Sequence, residues 1–165
     1  TSGCDGGPAN KIEGQWKYDH TMIGSELAGM SKFTEGMPPG TRLTKVTIKG
    51  TSNYHSSGTF NHSLEMMSMS LETEGLTVEM SFQGSMSGKW TIQGDTLTEV
   101  TSDMQMEPAN EFTTTALAQL DPEELNEMFA GQSDSVVSKI EFISKDELEQ
   151  TDAETGITIA LRRAR

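Results

Sequence analysis

Between Leu76 and Val100 the chain alternates so regularly that few folds besides paired strands accommodate it. Leu76, Val78, Met80 and Phe82 alternate with Thr77, Glu79, Ser81 and Gln83. That period of two sends one set to a core and the other to solvent. The following stretch, Gly84 to Val100 (GSMSGKWTIQGDTLTEV), reads as a strand end and a tight glycine turn, then a strand centred on Trp90 and Ile92. A Gly94-Asp95 turn and a strand opening at Leu97 complete it. Glycine supplies the positive φ that tight hairpin turns demand, so the segment is expected to form the middle of an antiparallel sheet.

The flanking chain repeats this grammar. Trp16, Tyr18, His20 and Met22 alternate with Lys17, Asp19 and Thr21, giving a first strand with an aromatic face. Ser25 to Phe33 is expected to form a short helix or a loop across one end, and Gly36-Met37-Pro38-Pro39-Gly40 stops regular structure. Leu43 to Lys49 is β-branched and strand-like, and Tyr54 to Ser70 reads as two strands around Gly58. Thr96 to Glu107 carries Val100, Met104 and Met106 on one parity and ends at Pro108. Asp121-Pro122-Glu123-Glu124 is a helix start, with a capping aspartate, proline in the first turn and acids facing the helix dipole. Leu125, Met128 and Phe129 would form its apolar stripe, and Gly131 would end it. Val136 to Ile143 and Ile157 to Arg163 supply closing strands. About eight or nine short strands with one late helix predict a mainly β fold, a single antiparallel up-and-down barrel, whose closure removes the unpaired edges that invite aggregation.

With 165 residues the chain fits one domain, 11–165, preceded by a flexible tether, Thr1–Asn10, too polar and glycine-rich to bury itself. Twelve basic residues against 25 acidic ones give a net charge of −13, which repels nucleic acid and anionic membrane surfaces. No apolar run reaches the roughly 18 residues of a membrane helix. The lone cysteine, Cys4, excludes a disulfide framework within the chain.

Four short blocks carry a resemblance: Gly14-Gln15-Trp16, Gly58-Thr59-Phe60, Gly88-Lys89-Trp90-Thr91-Ile92 with Gly94-Asp95-Thr96-Leu97, and the closing Ile157-Thr158-Ile159-Ala160-Leu161-Arg162-Arg163. Together they resemble the lipocalin-like (calycin) domains of bacterial secreted lipoproteins. The resemblance implies that Trp16 packs on an arginine of the last strand, Arg162 or Arg163, and closes one end of the barrel by a cation–π contact. Ser2-Gly3-Cys4 resembles the end of a lipobox, which implies a lipid on Cys4 and a place in the bacterial cell envelope, membrane contact being through that lipid alone.

Catalytic chemistry is not indicated. His20, His55 and His62 lie in the N-terminal half, no Gly-x-Ser-x-Gly elbow or phosphate-cradling glycine loop occurs, and Cys4 sits in the tether. No catalytic residue, metal or cofactor is therefore assigned. The eleven methionines are the sharper feature, with Met66, Met67, Met69, Met80, Met86, Met104 and Met106 falling in central strands. Thioethers fill irregular interiors, line adaptable ligand cavities, or, together with His55 and His62, bind Cu(I). The expected function is a non-enzymatic envelope module holding a small apolar ligand. Trp16, Tyr18, Met67, Met80, Phe82 and Trp90 are its predicted wall, and the Asp121 to Gly131 helix is its predicted lid. The alternative is a filled barrel that presents an acidic exterior to another envelope protein.

Overall fold

The computed structural model describes residues 11–30, 39–118, 121, 123–124 and 135–164. Eight strands follow one another around a closed antiparallel barrel. They are β1 (Gly14–Ile23), β2 (Arg42–Tyr54), β3 (Thr59–Thr73), β4 (Leu76–Gln93), β5 (Thr96–Pro108), β6 (Ser135–Ser144), β7 (Glu147–Asp152) and β8 (Thr158–Arg163). The seam that closes the ring is short: Trp16, Lys17 and Tyr18 of β1 face Arg163, Arg162 and Leu161 of β8. A 3-10 helix, Gly24–Met30, follows β1.

The barrel is taller on one side. β3, β4 and β5 have 15, 18 and 13 residues, whereas β7 and β8 have six each. The length of β4 corrects the sequence reading, because no turn interrupts Gly84 to Gly88. Those glycines serve close approach. A Cβ on Gly84 would collide with the Gln105 carbonyl oxygen, and one on Gly88 with the Val100 carbonyl oxygen, both on β5. The bare backbone lets the two long strands come together there. The Gly94-Asp95 turn lies where the sequence places it, between β4 and β5.

Two of the register shifts in the sheet, on β3 and β5, decide which side chains face inward near the middle of the barrel. On β3 the pairing with β4 jumps from Leu64 to Met67, so Phe60, His62 and Leu64 share the interior with Met67, Met69 and Leu71 despite opposite parity. On β5, Ser102 has no partner between the Ser87–Asp103 and Gly88–Thr101 pairs. An extra residue in one strand reverses the facing of everything beyond it. Val100 is consequently 48% exposed and does not share a face with Met104 and Met106, while Glu99 is turned inward beside Leu97.

Two apolar clusters result. One gathers Trp16, Tyr54, Phe60, Trp90, Leu97 and Leu161 with their neighbours at the end where β1 meets β8. The other gathers Met22, Val46, Met67, Met69, Phe82 and Met106 at the opposite ends of β1 to β5. A short helix, α1 (Glu111–Ala116), follows β5, which the sequence reading did not anticipate. Asn110 caps it by accepting from the Thr113 N–H at 2.8 Å, and the fully buried Thr113 hydroxyl accepts from Ser81 N at 2.8 Å, docking the helix on β4. At the predicted later helix, Glu124 N donates to Asp121 Oδ1 and Asp121 N donates to Glu124 Oε2, at 2.8 and 3.1 Å. This is the reciprocal capping expected of a helix start. Pro122, Leu125, Met128, Phe129 and Gly131 lie outside the described residues, and so does the proposed lid apart from Asp121, Glu123 and Glu124.

Candidate functional site

The end of the barrel near the seam is stoppered. Trp16 is fully buried, and its indole Nε1 donates to the Ile12 carbonyl at 2.7 Å. Arg163 stacks on it, with Cζ 4.2 Å from the ring centroid. The guanidinium also donates to the carbonyls of Glu13 and Lys11 at 2.8 Å and of Lys145 at 3.1 Å. Three carbonyls on two backbone segments, the stretch before β1 and the β6–β7 turn, are thereby tied to β8 by one cation. Of the two arginines left open by the sequence, Arg163 takes this position, and Arg162 points to solvent.

Above the stopper lies a cavity of about 380 Å³. Met22, Ile48, Leu64, Met86, Ile159 and Leu161 give it apolar walls. Val136, Asp152, Thr155 and Ile157 border it on the low side of the barrel, where the β7–β8 connection passes. Tyr18 lines it too, lying across Gly50, its direct partner on β2. A Cβ at Gly50 would meet the Tyr18 hydroxyl, so the missing side chain makes room for the ring.

A polar cluster is set into this apolar wall. Glu99, 7% exposed, accepts from the Tyr54 hydroxyl at 2.9 Å and from His62 Nε2 at 2.5 Å, both on Oε1. Gln150 Nε2 donates to Glu99 Oε2 at 3.3 Å and to Ser138 Oγ at 3.1 Å. A carboxylate has only acceptors to offer, so the shared proton on His62 sits at Nε2. The other ring nitrogen, Nδ1, is buried and has no hydrogen-bond partner among the described residues. The His62 ring stacks on Phe60 at 4.4 Å and meets Tyr54 edge-on at 5.5 Å, which fixes its orientation.

The two phenols respond to this setting. Burial pushes Tyr18 up to about 12, with the charges of Glu65 and Glu99 adding to the effect. Burial also holds Tyr54 well above its ordinary value, reinforced by the Glu99 charge and by the hydrogen bond to Glu99. Both hydroxyls remain protonated donors at neutral pH. No serine hydroxyl among the described residues reaches His62 Nδ1, so the nucleophile arm of a Ser–His–acid arrangement is not assembled there.

Of the predicted wall, Tyr18 lines this cavity. Trp16 and Trp90 pack in the aromatic cluster, Met67 and Phe82 in the methionine cluster, and Met80 against the latter. Trp90 is anchored by its Nε1, which donates to the His55 carbonyl at 3.1 Å. The histidines considered with the methionines are engaged elsewhere: His55 Nε2 lies 2.6 Å from Asn61 Oδ1, and His62 is held by Glu99. Cys4 lies outside the described residues. Sequence reasoning missed Glu99, Tyr54, Gln150 and Ser138. The available signal was Glu99 on the same parity as Leu97, which the Val100–Met104–Met106 pattern obscured. The chain matches no protein-family model and no curated protein sequence.

Proposed function

We propose that the protein is a lipocalin-like, non-enzymatic binding module that holds one small, largely apolar molecule inside its barrel. The observation that carries this reading is the cavity of about 380 Å³, walled by aliphatic and thioether side chains and interrupted by one polar cluster. Ligand sites are commonly of this build, with volumes of roughly 300–1,000 Å³. The stopper at Trp16 and Arg163 supports entry from the other side, and methionines in the wall adapt to ligand shape.

Binding of the uncharged fluorophore N-phenyl-1-naphthylamine, and its displacement by small apolar competitors, tests the reading. Saturable uptake is expected, with loss on Leu161→Trp, which fills the cavity. No uptake by the folded protein of any apolar probe would favour the filled-barrel alternative. Attachment to the cell envelope through Cys4 belongs to the same proposal. It rests on Ser2-Gly3-Cys4 alone, and the mass of the N-terminal peptide from cells tests it.

A further inference from the structure

We propose that the molecule held in the barrel carries a cationic amine head, seated against Glu99, on a short apolar tail. This rests on the binding function proposed above and adds the class of ligand.

Two observations carry it. The first is charge. Glu99 and Asp152 border the cavity, and among the described residues no lysine or arginine does; His62, already committed to Glu99, is the sole basic residue on its wall among them. A carboxylate or phosphate head would be desolvated beside Glu99 with no cation to meet it. The protein's net charge of −13 adds a field that draws cations and repels anions. Burial is the main cause of the elevated Tyr18 phenol, and the charges of Glu65 and then Glu99 add to it.

The second observation is an excess of acceptors. A carboxylate offers about four lone-pair positions, and three donors reach Glu99: Tyr54 and His62 on Oε1 and Gln150 on Oε2. One position on Oε2 remains. His62 Nδ1, the buried nitrogen without a partner among the described residues, offers a further lone pair in the tautomer that carries its proton on Nε2. A primary ammonium brings three N–H donors and no acceptor, which complements such a surface; a carboxylate brings the reverse. The space, that of roughly a dozen water molecules at about 30 Å³ each, limits the ligand to a single short chain or ring.

The test is calorimetric titration of the full chain at pH 7 with octylamine, octan-1-ol and octanoate, which share a tail and differ in head. Salt of about 0.3 M screens the acidic exterior. Octylamine is expected to bind more tightly than octanoate by about tenfold or more, with octan-1-ol between them. Glu99→Gln is expected to remove most of the preference for octylamine over octan-1-ol and octanoate. Binding of all three with equal affinity, or a preference for octanoate, would overturn the amine assignment and leave the cavity reading standing. An undiminished preference in a folded Glu99→Gln protein would overturn it as well. Binding of none of them would refute the cavity reading itself. Should Glu99→Gln fail to fold by circular dichroism, the ratio of octylamine to octanoate in the unmodified protein decides alone.

Discussion

The two ends of the barrel are built from different materials. At the seam end Trp16, Trp90 and Tyr54 are each oriented by a polar handle, through Ile12, His55 and Glu99 respectively. At the opposite end Met22, Met67, Met69 and Met106 surround Phe82 and Val46, with thioethers in place of directional donors. Aromatic side chains with a fixed hydrogen bond specify one packing, whereas unbranched thioethers accept several. The cavity lies between the two ends.

The contrast fails first if the shut end proves unimportant. Trp16→Ala is expected to cost about 3–5 kcal/mol in urea unfolding, through lost burial and a cavity that the rigid stopper does not refill. A loss below about 1 kcal/mol would show that this end is as pliable as the other. Next in size is an effect of pH on Tyr18. Its phenol is raised from 10.0 to about 12 in the fold. Above pH 10 the unfolded chain ionises while the folded one keeps its proton, so stability falls with rising pH. Roughly 2 kcal/mol is expected to be lost by pH 12, on top of losses from other groups. Tyr18→Phe should flatten that part of the stability–pH curve, and an unchanged slope would contradict the buried, anionic setting assigned to it.

Arg163→Gln sharpens the comparison. It removes the ring contact and charge-assisted bonds to three carbonyls, for an expected cost of about 2 kcal/mol. Arg162→Gln, one residue away and exposed, should stay within about 0.5 kcal/mol. Equal effects would mean that the stopper is not the source of the stability. The smallest change is expected at the yielding end, where Met69→Leu should cost less than about 1.5 kcal/mol and leave the thermal transition cooperative. A larger loss would show that the methionines are as specifically packed as the aromatic rings.

Much of the barrel was readable because its rules are local. Trp16, Tyr18, His20 and Met22 do point inward, the strands around Gly58 and the Gly94-Asp95 turn stand where alternation and turn chemistry put them, and a tryptophan–arginine pair does close one end. The readings that failed were those a bulge overrides. Gly84 and Gly88 looked like a turn and are close-approach positions in one long strand, and Val100 looked inward-facing until Ser102 displaced the register. The α1 helix was missed because Asn110-Glu111-Phe112-Thr113-Thr114 is rich in poor helix formers; docking of Thr113 on β4 compensates for weak propensity. For the site, Tyr18 was legible as an inward aromatic, but the parity that Glu99 shares with Leu97 was obscured by the Val100–Met104–Met106 pattern.

The sequence by itself determined that strands would form, that they would be antiparallel and mainly consecutive, and which of their residues were apolar enough to need cover. Those properties follow from side-chain period and turn conformation, which neighbours along the chain decide. Tertiary structure alone decided where the faces switch, that Arg163 rather than Arg162 meets Trp16, and that Glu99, Tyr54, His62 and Gln150 converge from four strands. The physical reason is that an inserted residue costs little locally yet reverses every later side chain, so its consequences are set by the partner strand. Only once the barrel closes is a carboxylate enclosed with its donors and a cavity left beside it.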